Sequence, residues 1–231
     1  MTPWGRIATF GLGLITLLAG QLTGLVVFSL WHGPLGRNTD LANDGAAVTL
    51  LIAVSAPVQV ALLVQFARRT GARAGDYLAW VWPRGGQILF GIMAVAVFVV
   101  VSNLVSVLLG RSIVTDFQIE LYRSASAQGG LPLLWFVVVV ATPIAEETLF
   151  RGFLFRGWLR EPRDAWPTIA GTALLFALVH VQYDGFVIVQ VFAAGLLLGW
   201  MRWASGSTVL TMLLHGLINI EGMLETALLY R

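Results

Sequence analysis

The chain has no cysteine and no lysine, and it is poor in charge of either sign. Without cysteine there are no disulfides, no thiolate metal sites and no cysteine nucleophile. Without lysine there is no Schiff-base or serine–lysine chemistry, and all 14 basic residues are arginines. Charged residues make up 11% of the chain and the net charge is +2, with no basic run to bind nucleic acid. What is present is apolar. Hydrophobic residues make up 58% of 231 positions, and the mean hydropathy is +0.82.

Long apolar runs of this kind cross bilayers, because about 20 apolar residues span the hydrocarbon core. Seven segments stand out: 7–31, 46–66 (interrupted by Pro57), 87–109, 131–159, 166–181, 186–203 and 208–230. The first is long enough to be a retained anchor instead of a cleaved leader. A polar turn with Gly33, Pro34 and Asn38 follows it, and His32 falls in that loop as a solvated side chain. In the link 111–130, Ile113, Phe117 and Leu121 recur at a spacing near four, which predicts a short amphipathic helix at the interface. The expected fold is therefore all-α: a polytopic helical membrane protein of about seven transmembrane helices plus an interfacial helix. Residues 1–130 supply the N-terminal segments and their links, and 131–231 a helical core that carries the chemistry.

Arginine placement gives an orientation. With the N-terminus in the cytoplasm, Arg6, Arg68, Arg69, Arg73, Arg84, Arg156, Arg160, Arg163 and Arg202 fall inside. Only Arg37, Arg111, Arg123 and Arg231 fall outside, as the positive-inside rule requires. The compact, lysine-free chain suits a bacterial inner (plasma) membrane.

The segment 131–159 contains Glu146, Glu147 and Arg151. Charge at membrane depth is costly, so it is usually paired or faces a polar cavity, and it marks function. Glu147 and Arg151 are four apart in the favourable order, as a structural ion pair would be, while Glu146 points about 100° away. Downstream, Phe176 precedes His180 by four residues and His215 precedes Asn219 by four. At a helical rise of about 1.5 Å per residue, Glu146 lies roughly 18 Å, His180 roughly 21 Å and His215 roughly 12 Å from the inner ends of their segments. These depths allow convergence near mid-bilayer. A carboxylate, two histidines and an asparagine are parts for activating water. Phe176 and Phe192 read as packing residues, and Gly195 with Gly199 as a close helix contact. Glu221 and Glu225 flank the outer end of the last segment without an assigned role.

The pattern Glu146-Glu147…Arg151, Phe176…His180, Phe192…Gly195 and His215…Asn219 resembles that of the CPBP intramembrane proteases. This is the CAAX-protease and bacteriocin-processing group, formerly Abi, which includes the type II CAAX prenyl endopeptidases. Order and spacing match over about 131–230; the first three segments carry no motif. The resemblance implies an intramembrane endopeptidase. Glu146 would be the general base, His180 would hold and polarise the water, and His215 and Asn219 would donate to the oxyanion. Glu147 and Arg151 would orient Glu146. The partners implied are the bilayer and a membrane-associated peptide or protein substrate. No cofactor is expected. Zinc held by Glu146, His180 and His215 is the lesser reading, because the His-Glu-x-x-His motif is absent. Two other classes use the same parts: a non-proteolytic scaffold or immunity protein of the same fold, and a proton-coupled transporter. No internal symmetry supports the transporter.

Overall fold

The computed structural model describes residues 4–32 and 44–229. The turn at Gly33, Pro34 and Asn38, together with Arg37, Asp40 and Arg231, lies outside the described residues, as does the His32 side chain. The described chain is helical: α1 (Arg6–His32), α2 (Gly45–Arg68), α3 (Ala74–Tyr77), α4 (Gly85–Leu108), α5 (Asp116–Ala127), the composite α6 (Leu131–Trp158), α7 (Ala165–Leu178), α8 (Gly185–Ser205) and α9 (Thr208–Leu229). Among the described residues, six helices are long and apolar enough to cross a membrane: α1, α2, α4, α6, α8 and α9. The protein is an integral membrane protein of the polytopic helical class.

The segment expected as the fifth crossing is the short one. α7 has 14 residues, about 21 Å at the usual rise. The residues after it are tied to neighbouring links: Asp184 pairs with Arg111, which follows α4, and Tyr183 packs edge-on against Phe117 of α5 at 5.7 Å. At the opposite end, Arg6 pairs with Asp164 at 2.8 Å, and the Trp158 indole donates to the Arg6 carbonyl at 3.2 Å. The predicted helix in the link 111–130 forms as α5. The Thr115 hydroxyl accepts from Gln118 N–H at 3.2 Å, and the Gln118 side chain accepts from Thr115 N–H at 2.9 Å, which caps its start.

Three apolar clusters hold the bundle. One joins Leu63, Tyr77, Leu149, Phe153 and Phe176. A second joins Val95, Leu198, Met201, Leu210 and Leu214. A third joins Leu121, Ala125, Leu134, Val137 and Met223. All three meet at one cavity of 580 Å³, which Phe176, Leu198, Leu121 and Leu134 help to line. Outward faces are apolar, as lipid contact requires: Leu89, Met93, Val97, Val100, Leu104 and Leu108 form an exposed stripe along α4 at three- and four-residue spacing.

α6 is not a regular helix. Pro143 has no N–H to give, so in the five-residue register of the wide turn here the carbonyl of Val138 loses a partner. The chain widens there over Val137–Ala141, where Thr142 N–H reaches the Val137 carbonyl five residues back. A second wide turn covers Thr148–Leu154, where Phe155 N–H bonds to the carbonyls of Phe150 and Gly152 and bypasses Arg151. Such turns inside helices concentrate at functional sites. The two here bracket Glu146 and Glu147.

Candidate active site

The two neighbouring carboxylates have different surroundings. Glu147 is fully buried and bonds Arg151 Nη1 at 2.9 Å through Oε1. The same oxygen accepts from His215 Nδ1 at 3.0 Å. Glu146, about 100° round the helix, lines the cavity. Its Oε2 stands 3.8 Å from His215 Nε2. The side expected to be a structural ion pair is one, and the other carboxylate faces the cavity.

Arg151 is itself held on several sides. Its Nη2 donates to the Gly195 carbonyl at 2.9 Å, and its guanidinium lies 4.6 Å from the centre of the Phe176 ring. The Phe192…Gly195 element of the sequence pattern thus has a physical reason at Gly195. A Cβ there would sit 3.0 Å from Ala173 Cβ, and one at Gly199 would sit 3.1 Å from Ile169 Cγ2. The close contact of α8 with α7 expected for this glycine pair is present, and it brings the Gly195 carbonyl within reach of Arg151.

Phe176 is buried and central. Its ring is 4.8 Å from His180 and 5.6 Å from His215, so one aromatic face and edge set both imidazoles. The His180 Nδ1 lies 2.7 Å from the Phe176 carbonyl. A carbonyl only accepts, so Nδ1 carries the proton and the neutral ring keeps its lone pair at Nε2. The Tyr183 ring stacks on His180 at 6.1 Å.

His215 gives its Nδ1–H to the Glu147 carboxylate, so its Nε2 donates only when the ring holds both protons. Asn219 is engaged as well: its Nδ2 donates to the Val138 carbonyl at 2.7 Å, the group that Pro143 leaves without a partner. Asn219 also lines the cavity. α9 can come this close because residue 216 is glycine; a Cβ there would meet the Val139 carbonyl at 2.9 Å.

The four residues expected to do chemistry, Glu146, His180, His215 and Asn219, all line the one cavity. Among the described residues no group of three or more His, Cys, Asp or Glu side chains is placed to hold a metal ion, and no step below runs through a metal.

Sequence reasoning missed Arg202. Counted there among the loop arginines of the inner face, it is a buried residue of α8 instead. Its Nε donates to the Arg151 carbonyl at 2.9 Å, the one the wide turn bypasses, and to Thr208 Oγ1 at 3.1 Å. Its place seven residues after Gly195, two turns along one face, was the available signal.

Residues 128–220 match the family described as Type II CAAX prenyl endopeptidase Rce1-like. That stretch contains every motif residue named above, from Glu146 to Asn219, and it bears out the resemblance to the CAAX-protease (CPBP) family over its length. Among curated proteins, an "Uncharacterized 24.3 kDa protein" of Escherichia coli is 32% identical over 124 residues, covering 51% of this chain. The match spans 56% of that protein's length. No solved structure matches.

Proposed function

We propose that this chain is an intramembrane endopeptidase that hydrolyses a peptide bond of a membrane-associated peptide or protein with a water activated by Glu146. The observation that supports it most is the division of labour between adjacent carboxylates: Glu147 is spent on Arg151 and His215, while Glu146 faces the cavity. In this reading the Glu146 carboxylate takes a proton from water as the oxygen attacks the scissile carbonyl carbon. His180, with its lone pair at Nε2, accepts the water's other hydrogen and holds it in line. The oxyanion that forms receives the second amide hydrogen of Asn219 and, when the ring is doubly protonated, His215 Nε2–H. The C–N bond then breaks as Glu146 returns its proton to the leaving nitrogen, giving a carboxylic acid, which keeps the water's other hydrogen, and an amine. The family match supports a CAAX-type protease, and the arginine distribution supports an inner-membrane protein with a cytoplasmic N-terminus.

The test compares peptide termini in membrane fractions from cells expressing wild type or Glu146→Gln at matched levels. Termini that appear only with wild type are expected. Identical termini from two folded proteins would move the reading to a non-proteolytic scaffold of the same fold.

A further inference from the structure

The cavity extends past the residues assigned to the chemistry. Its wall from α4 and α9 carries Asn103, Glu221 and Glu225. The Asn103 amide donates to Glu221 Oε1 at 3.3 Å and to Glu225 Oε1 at 2.6 Å. Two carboxylates one helical turn apart therefore share one neutral amide inside a membrane helix. Carboxylates at that spacing repel when both are ionised, and the partner they share, Asn103, carries no charge. Among the described residues, no arginine lines the cavity, whereas Glu146, Glu221 and Glu225 all do. Arg151, packed on the lining residue Phe176, is taken up by Glu147 and Gly195.

A separate observation points to a peptide. Gln59 on α2 is 6% exposed, lines the cavity and makes no hydrogen bond among the described residues. Thr142 Oγ1 and Glu146 Oε2 also lack partners there. Buried polar groups without partners are costly, and an extended peptide backbone, with N–H and C=O alternating, would supply what they lack.

Distance turns this into a register. Glu221 and Glu225 follow His215 on α9 by six and ten residues, about 9 and 15 Å along the axis. An extended chain covers that span in about three to five residues. We propose that Glu221, Glu225 and Asn103 form a subsite for a cationic side chain of the peptide, a lysine or arginine about three to five residues from the bond cleaved. The subsite deepens the endopeptidase reading and rests on it for its register.

Two measurements test it. The first is binding to purified Glu146→Gln protein in detergent micelles. The probes are a fluorescent, end-blocked leucine peptide containing one lysine and the same peptide with norleucine in its place. The lysine peptide is expected to bind at least about ten-fold more tightly, which is about 1.4 kcal/mol. Adding Glu221→Gln and Glu225→Gln should erase that preference while the norleucine affinity and thermal melting hold. If the double variant fails to fold, the single variants carry the comparison, and each should reduce the preference. Equal affinities, no saturable binding of either peptide, or a preference that survives the substitutions would overturn the subsite. The second measurement is the position of lysine and arginine in the termini released by wild type. Enrichment three to five residues from the cut supports the register, and an even distribution overturns it. A lysine preference in binding with no wild-type termini would sink the endopeptidase reading and its register, while the cationic subsite stands.

Discussion

The helices before residue 130 and those after it are buried in different ways. α4 runs 24 residues and buries three of them, Gly91, Val95 and Ser106. The wide turn Thr148–Leu154 in α6 buries all seven of its residues. The first region is a wall between lipid and cavity, and its sequence has only to be apolar outward. The second must hold a charged pair and two imidazoles in fixed relation, so its residues are clamped from every side. The difference explains why the motifs fall after residue 130. It does not make the first region inert, because Asn103 and Gln59 both face the cavity.

The largest expected effect separates the two carboxylates inside the clamped region. Glu146→Gln should lower hydrolysis at least about 100-fold and leave the thermal midpoint near wild type. Glu147→Gln should lower both, since it strands Arg151. Equal melting losses for the two would erase the distinction between a cavity carboxylate and a structural one.

Next come the arginines. Arg151→Ala leaves Glu147 buried and uncompensated and should cost about 3–5 kcal/mol. Arg202→Ala removes donors to the Arg151 carbonyl and should cost about 1–3 kcal/mol. Denaturation of the purified variants reads both, and a larger loss for Arg202 than for Arg151 would overturn the order.

A glycine pair tests where the first region is clamped to the second. A Cβ at Gly157 would sit 2.1 Å from Thr9 Oγ1, whereas one at Gly11 meets nothing within 4 Å. Gly157→Ala should destabilise by about 1–3 kcal/mol, while Gly11→Ala, in an exposed helix, should be neutral or stabilising by up to about 1 kcal/mol. Similar melting shifts would mean that α1 does not pack on α6 as described.

The smallest effect is at Asp164. Backbone N–H from Glu161, then from Arg160, and the Arg6 guanidinium hold its carboxyl below the usual 3.8. A depressed carboxylate contributes stability that is complete above its unfolded value and lost as pH falls through the folded one. Wild type should therefore lose a small increment on acidification below 3.8 that Asp164→Asn does not show. Parallel acid curves would remove Asp164 from the ties that hold the N-terminus to the end of α6.

Much of this was legible before the fold was known. Spacing placed Glu147 with Arg151 and Gly195 with Gly199, and the order of motifs named the four cavity residues. The rest depended on partners across helices. Nothing near Asn219 in sequence says that Pro143 orphans the Val138 carbonyl 81 residues away. Arg202 looked like loop charge because its partners lie on α6 and at Thr208. The brevity of α7 was hidden by apolar residues running on to Val181, although the helix itself stops at Leu178.

The sequence by itself determined the membrane environment and the side chains available for chemistry, because apolar length and helical spacing are local properties of the chain. Only the tertiary structure decided that His215 shares the Glu147 carboxylate with Arg151 and that a cavity stands opposite Glu146. It also decided that Glu221 and Glu225 share that cavity with Glu146. Those outcomes depend on what stands opposite each side chain, and opposition across a bundle is set by packing between helices far apart in the chain.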